Sequence, residues 1–417
     1  MLNHKKQLLL LSYEYPFGNS ETFLENELYV LSREFSRITI LPTRAFFSPS
    51  WFSSNKSNLR KLPTNCYLIR PLKQTGFKVP VLVCLILFWR GIHSGLPFRG
   101  FFYAIKELMR SVVKTSCLIK PINKHLRQCD TNSLVAYSYW KGDATVALCY
   151  TKQQGRLRAC ATRCHGGDLY DNVLPFPYRP FEKYIARECD LVMPVSQSGV
   201  KYLTEKGFPQ TRLRIARLGV KRMKTVARFS SDGMLRVVSC SNLIPLKRIP
   251  MLCKALSMLN HPFSWTHFGD GEERSILERL ITDLPKHGTA NLFGRIPNHE
   301  ILSYYQNNPV DIFVNVSSSE GVPVSVMEAM IAGIPCIATN VGGTSELINN
   351  DCGYLLPADI DSTELASILE TIITSPIAWQ QKRTSSFLRA CQLCDAKKNY
   401  HEFSELLQNM LRTGTQA

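Results

Sequence analysis

The chain has no apolar run long enough to span a bilayer. Its longest, Val79 to Trp89, covers about eleven residues and opens on a Val-Pro pair, whereas a spanning helix takes roughly 17 to 25. Features of a secretory leader are lacking too: Leu8 to Leu11 is short and runs straight into Tyr13, Glu14 and Tyr15 with no small-residue cleavage site. A cytoplasmic protein, peripheral on the inner face of the plasma membrane at most, is therefore expected. The 14 cysteines are scattered through apolar segments, as at Cys84, Cys149, Cys240 and Cys336, and are expected as reduced buried thiols. Cys391 and Cys394 form a CxxC with no second pair at metal spacing, which argues against a metal or redox centre there. Repeats and low-complexity tracts are missing, which excludes solenoids and disordered chains. Acidic residues are almost missing from one long stretch: from Arg44 to Arg127 there are 15 Lys or Arg and one acid, Glu107.

What the 417 residues do contain is 45% hydrophobic and 20% charged residues, enough apolar material for two cores. Short β-branched or leucine-rich runs alternate with amphipathic stretches, the pattern of strand-helix-strand units closing into parallel sheets, so the fold class is α/β. Strands are expected near Gln7 to Tyr13, Ser36 to Leu41, Ser133 to Ser138, Ala159 to His165, Asp190 to Val195 and Leu213 to Ala216. A second series falls near Leu235 to Cys240, Ser264 to Phe268, Ala290 to Phe293, Asp311 to Val316 and Pro335 to Ala338. The polar segment Lys221 to Gly233 between the two series reads as a linker. The expected domains are 1–224, with a helical and irregular insert at about 44–132, then 225–385, then a helical segment 386–417 packing back toward the first domain.

The insert is rich in aromatics as well as in cations: Phe46, Phe47, Trp51, Phe52, Phe88, Trp89, Phe101, Phe102 and Tyr103. With a net charge of +17 this suits an anionic membrane surface, where each basic side chain contributes roughly 1 kcal/mol. A solvated basic face over an aromatic core is the plainer alternative. Nucleic acid, the other natural polyanion, is not expected as a partner.

The densest motif runs from Val314 to Pro335 and parses as a strand, a loop holding Glu320 and Gly321, a helix from Val324 to Ala332 and a stop at Gly333. The N–H groups of Gly321, Val322 and Val324 to Val326, beside Pro323 and Ser325, lie where a helix start holds a phosphate or sugar oxygen. Glu320 and Glu328 can then face one ligand and accept hydrogen bonds from vicinal hydroxyls. Each alone is explained as an ordinary loop or helix acid.

Together with Ala332 to Pro335 and the loop Val341-Gly342-Gly343-Thr344-Ser345-Glu346, this spacing resembles glycosyltransferase family 4, the retaining enzymes of GT-B fold. The resemblance implies two Rossmann-like domains whose parallel sheets face each other across a cleft. It also implies a nucleotide diphosphate sugar as donor, Glu328 on its ribose, Glu320 on the transferred sugar, and no metal or other cofactor. Asn242 stands where that family usually has an arginine before the matching Lys247, with Arg248 as the nearest replacement cation on the diphosphate. Gly269 and Gly271 resemble the family's Gly-x-Gly turn, and Gly294-Arg295 the strand end beside the nucleobase. His165, at the carboxyl end of a strand, matches a histidine contacting the donor sugar near the reacting carbon. Tyr15 to Phe23 resembles the N-terminal loop, with Gly18 allowing close backbone approach and Ser20 or Thr22 capping the next helix.

The activity implied is transfer of a sugar, with retention and without a metal, to a saccharide acceptor in cell-surface polysaccharide biosynthesis, lipopolysaccharide or capsule. The basic, aromatic insert suggests that this acceptor is polyprenyl-linked. A nucleotide-sugar epimerase of the same fold, or a non-catalytic polyanion- or membrane-binding protein retaining it, stays open at this level.

Overall fold

The computed structural model describes residues 6–18, 21, 23–48, 62–70, 81–223 and 225–413. Ser20 and Thr22, expected as helix caps, lie outside them, as do Trp51 and Phe52 of the insert. The chain divides into two compact units, Met1–Arg217 with Lys397–Ala417, and Leu218–Ala396.

In the first unit six strands, β1 (Gln7–Ser12), β2 (Arg37–Pro42), β3 (Cys66–Leu68), β4 (Leu134–Ser138), β5 (Cys160–Cys164) and β6 (Leu191–Pro194), form a parallel sheet in the order β3-β2-β1-β4-β5-β6. Their central members read as unbroken apolar runs because helices cover both faces; in β1, Leu8 to Leu11 are all buried. The second unit repeats the arrangement with β7 (Leu235–Cys240), β8 (Phe263–Phe268), β9 (Gly288–Gly294), β10 (Ile312–Asn315), β11 (Cys336–Thr339) and β12 (Gly353–Leu356), in the order β12-β11-β10-β7-β8-β9. Each sheet therefore reverses its winding next to its first strand, between β1 and β4 and between β7 and β10, and ligands of such sheets bind at the carboxyl ends beside that reversal.

Two edge strands escape the sequence pattern. β3 lies inside the insert and is three residues long, and β12 is four residues long with Tyr354 exposed; neither is long enough to establish a period. The stretch Leu213 to Ala216 is not a strand as expected. It makes one parallel bridge, Val192 to Leu213, at the sheet edge beyond β6 and is otherwise irregular. The described insert otherwise holds helices at Arg44–Phe47, Val81–His93 and Phe101–Leu126, joined by irregular segments. None of the described helices is long and apolar enough to cross a membrane.

The C-terminal helix Ala396–Thr413 packs on the first unit's sheet, with Phe403 and Leu407 in the same core as Leu8, Ile38 and Tyr137. A fully buried ion pair sits beneath it: Arg163 of β5 donates to Glu27 of the Leu24–Glu34 helix, and its guanidinium lies 4.0 Å from the Phe403 ring centroid. All fourteen cysteines are free.

Candidate functional site

In the second unit the loops that follow β7, β8, β9 and β10 are bound to one another. Ser241 N–H donates to Phe268 O at 3.0 Å, and Gly269 N–H donates to Gly294 O at 2.8 Å. Gly269, at φ +141°, passes so close to Ser241 that a Cβ there would lie 1.7 Å from its carbonyl oxygen, and a Cβ on Gly271 would lie 2.3 Å from that of Leu243. Both glycines therefore serve first to let two loops touch. One result is that Arg295 reaches Asn242, with Nη2 donating to Oδ1 at 3.3 Å.

Across the winding reversal, Lys247 follows β7 and Glu320 follows β10. The Lys247 ammonium lies 2.5 Å from Glu320 Oε1, which also accepts from Ser317 Oγ at 2.7 Å and from Asn315 Nδ2 at 3.3 Å. The Glu320 turn is backed by the glycine pair: Gly343 N–H donates to Gly321 O at 2.7 Å, and a Cβ on Gly342, at φ +55°, would lie only 1.8 Å from Glu320 O. Arg248 adopts φ +51° and donates from Nε to Val316 O at 2.6 Å and from Nη2 to Ser317 O at 3.3 Å. Its guanidinium thus clamps the end of β10.

The helix after this turn spans Val324–Ile331 and ends at Gly333, φ +71°. The Val326 N–H donates to Pro323 O at 3.1 Å. Among the described residues the N–H groups of Gly321, Val322, Val324 and Ser325 meet no protein acceptor, so an oxygen ligand at this end finds donors without displacing any. Glu328, one turn into the helix, accepts from Asn298 Nδ2 at 2.7 Å, and burial of its carboxyl pushes it up to about 7, against the opposing pull of that bond.

In the first unit His165 follows β5. Its ring is buried beside Tyr139 (centroids 4.6 Å), Trp140 (4.4 Å) and Phe23 (6.3 Å), and neither ring nitrogen has a protein partner. Burial and the nearby Arg163 charge hold its pKa well below the ordinary range, so the ring is neutral at pH 7. A neutral imidazole with both nitrogens unmet can donate to one ligand oxygen and accept from another hydroxyl. Gly18 lies in the loop after β1, where a Cβ would meet the Glu14 carboxylate at 2.0 Å.

Several residues that complete these sites went unread in the sequence. Asp168 accepts from His165 N–H at 2.5 Å and from Lys141 N–H at 2.7 Å, tying the loops after β5 and β4. Glu21 accepts from the N–H groups of Tyr13, Glu14 and Tyr15 at 2.7 to 2.8 Å and from Trp140 Nε1 at 2.6 Å, tying the loops after β1 and β4. The three-residue step from His165 to Asp168 is a capping spacing and could have been read. Asn298 and Trp140 carry no such signal. Asp361 accepts from Thr363 and Glu364 N–H as a helix cap. The sulfurs of Cys149, Cys160 and Cys189 cluster within 4.8 Å of one another in the first unit's interior.

Residues 227–386 match the family model of glycosyl transferases group 1. The chain is similar to WcaL of Escherichia coli K12, assigned as a colanic acid biosynthesis glycosyltransferase, with 28% identity over 55% of the chain and 59% of the relative. It is similar to the amylovoran biosynthesis glycosyltransferase AmsK of Erwinia amylovora, with 25% identity over 49% of the chain and 53% of the relative. These matches span a little over half the length of the curated relatives. Among solved structures, sucrose-phosphate synthase from Thermosynechococcus elongatus superposes with a TM-score of 0.72 at 15% identity, covering 98% of this chain and all of that one. Anabaena HepE in complex with UDP gives 0.65 at 16% identity, covering 97% of this chain and 100% of that one. These likenesses show the fold, α/β of the GT-B class with a six-stranded parallel sheet in each unit. The match to glycosyl transferases group 1 falls within the second unit, Leu218–Ala396.

Proposed function

We propose that the chain is a retaining glycosyltransferase that moves a sugar from a nucleotide diphosphate sugar to a saccharide acceptor in cell-surface polysaccharide biosynthesis. The observation that carries this is the grouping at one winding reversal of Lys247, paired with Glu320, and of a helix start with open N–H groups ahead of Glu328. Cations and oriented N–H groups at the carboxyl ends of parallel strands stabilise the charge that develops on a departing diphosphate. The relatives WcaL and AmsK carry polysaccharide-biosynthesis names, and HepE was solved with UDP, which supports a donor of this kind.

In this reading Glu328 accepts hydrogen bonds from the ribose hydroxyls and Glu320 from those of the transferred sugar. Lys247 and the N–H groups from Gly321 to Ser325 hold the diphosphate, with Pro323 setting the helix entry. Arg295, through its contact with Asn242, brings a second cation to the place where the family has an arginine, while Arg248 is occupied with strand carbonyls. Gly269 and Gly271 bring the backbone close to the nucleotide. The anomeric carbon–oxygen bond breaks with its electron pair leaving on the diphosphate. The acceptor oxygen bonds to that carbon from the same face, and its proton passes to the leaving diphosphate oxygen. In the first unit, neutral His165 offers both ring nitrogens to sugar hydroxyls. No step calls for a metal, because the cations and N–H groups bear the leaving charge.

The Val81–His93 and Phe101–Leu126 helices expose Leu82, Leu85, Trp89, Phe102 and Met109 among basic side chains. That favours an acceptor presented on a lipid at an anionic membrane surface. The test of the activity is calorimetric titration with UDP, GDP and ADP, with and without EDTA, alongside Glu328→Ala. Chelator-resistant binding of one diphosphate that the variant loses is the expected result. No binding of any of them would favour a non-catalytic member of the fold.

A further inference from the structure

The first unit holds a cavity of about 170 Å³ that the chemistry above does not use. One wall is the Phe101–Leu126 helix; the others are the start of the Asp143–Gln153 helix and the loop between Leu174 and Glu182. Its charged lining is nearly balanced, with four cations (Arg110, Lys114, Lys141, Arg179) and three acids (Glu107, Asp143, Glu182). The cations are partnered: Lys141 pairs with Glu182, Lys114 lies 3.9 Å from Asp143, Arg110 pairs with Glu107 at 2.5 Å, and Arg179 holds Asp171 at 3.1 Å. An anion entering here would meet carboxylates beside every cation. A neutral polyol meets donors and acceptors side by side, which is what its hydroxyls need.

Two further observations point to a ligand of that class. The Tyr178 hydroxyl is buried with no hydrogen-bond partner, a costly arrangement unless a guest supplies one. The Tyr103 ring, 5.7 Å from Phe176, gives an apolar surface suited to the C–H face of a sugar ring. The place is also informative. Asp168 bonds the Lys141 N–H of this cavity and the His165 N–H of the aromatic cage with one carboxylate, so the two sites share a support at the carboxyl ends of β4 and β5.

We propose that this cavity is a subsite for one neutral sugar ring of the acceptor glycan. The proposal rests on the glycosyltransferase function proposed above and adds where, and through which residues, the acceptor is gripped. Tyr178 donates to a ring hydroxyl, Lys114 donates to another, and Asp143 and Glu182 accept.

Tyr178→Phe tests it cleanly, since the change removes a hydroxyl that no protein group satisfies and leaves the ring. Saturation-transfer NMR would be run with the methyl glycosides of glucose, galactose and mannose, and with inorganic phosphate as an anionic probe, on the full chain. Lys114→Gln, half-exposed, is the second variant, and Lys120→Gln on the same helix outside the cavity is the control. The expected result is binding of at least one glycoside that weakens about fivefold in Tyr178→Phe, the worth of one neutral hydrogen bond, and at least as much in Lys114→Gln, where the donor is charged, with melting temperature and UDP affinity unchanged and the control unaffected. Glycoside binding that is identical in both variants, no glycoside binding, or a variant-sensitive response to phosphate alone would overturn the proposal. UDP binding measured on the same samples separates the two claims: if UDP binds and the glycoside result fails, only the subsite falls; if UDP does not bind the wild-type chain, the glycosyltransferase assignment falls with it.

Discussion

At Glu328, burial raises the carboxyl to about 7 from an ordinary 4.5, while the Asn298 amide pulls the other way. A carboxylate accepts from vicinal hydroxyls better than the neutral acid, so affinity for the matching nucleoside diphosphate is expected to fall about tenfold from pH 8 to pH 6. Glu328→Gln should flatten that part of the profile; an unchanged slope would remove Glu328 from ribose recognition. Stability moves in the opposite sense: the folded chain keeps a proton that the unfolded chain releases above 4.5, so this group's contribution to stability declines as pH rises from 4.5 to about 7. Arg295 and Asn242 make a second residue-scale case. Arg295→Gln should lower kcat/KM by about 10², and adding Asn242→Arg should recover most of it, because the double variant restores a cation at the same contact. Failure of that rescue in a steady-state assay would mean that Arg295 acts elsewhere.

Elements hold these side chains in place. The Gly342-Gly343 loop supports the Glu320 turn at a distance that leaves no room for a side chain, and Gly342 has positive φ. Gly342→Ala is expected to cost about 1–3 kcal/mol in urea denaturation and to raise the donor KM by shifting Glu320. In the first unit, Arg163 and Glu27 join β5, the Leu24–Glu34 helix and the C-terminal helix through a pair that is 0% and 1% exposed. Burial disfavours charge on both, and their attraction opposes it. Arg163→Ala strands the buried carboxylate and should destabilise by about 3–5 kcal/mol. Replacing both together, as Arg163→Met with Glu27→Leu, should cost clearly less, and equal losses in chemical denaturation would show that the charge itself is not what matters.

For the whole molecule, charge and apolar exposure coincide. Leu82, Leu85 and Trp89 fall at i, i+3 and i+7 on one helix, with Leu82 70% and Trp89 62% exposed, and Phe102 on the next helix is 88% exposed. Binding to vesicles containing anionic lipid is expected at low salt and should weaken as ionic strength rises past the point where the Debye length is about 8 Å. Leu82→Ser with Trp89→Ser should weaken it at every salt concentration in a flotation assay. Indifference to lipid charge and to these substitutions would mean that this surface does not meet a membrane.

The alternation of apolar runs and amphipathic stretches was enough to find ten of the twelve strands, because a parallel strand covered on both faces must be apolar throughout. The helix start at Val324 and its stop at Gly333 were also legible, since helix starts and stops demand particular residue types, whereas the Gly342-Gly343 loop was read by resemblance. The short edge strands β3 and β12 were not, for want of a period. Tertiary structure alone decided which groups meet: Asn298 with Glu328, Arg295 with Asn242, Asp168 with Lys141, and the aromatic cage around His165. These pairs join loops after different strands, and a contact fixed by sheet order leaves no spacing in the chain to read.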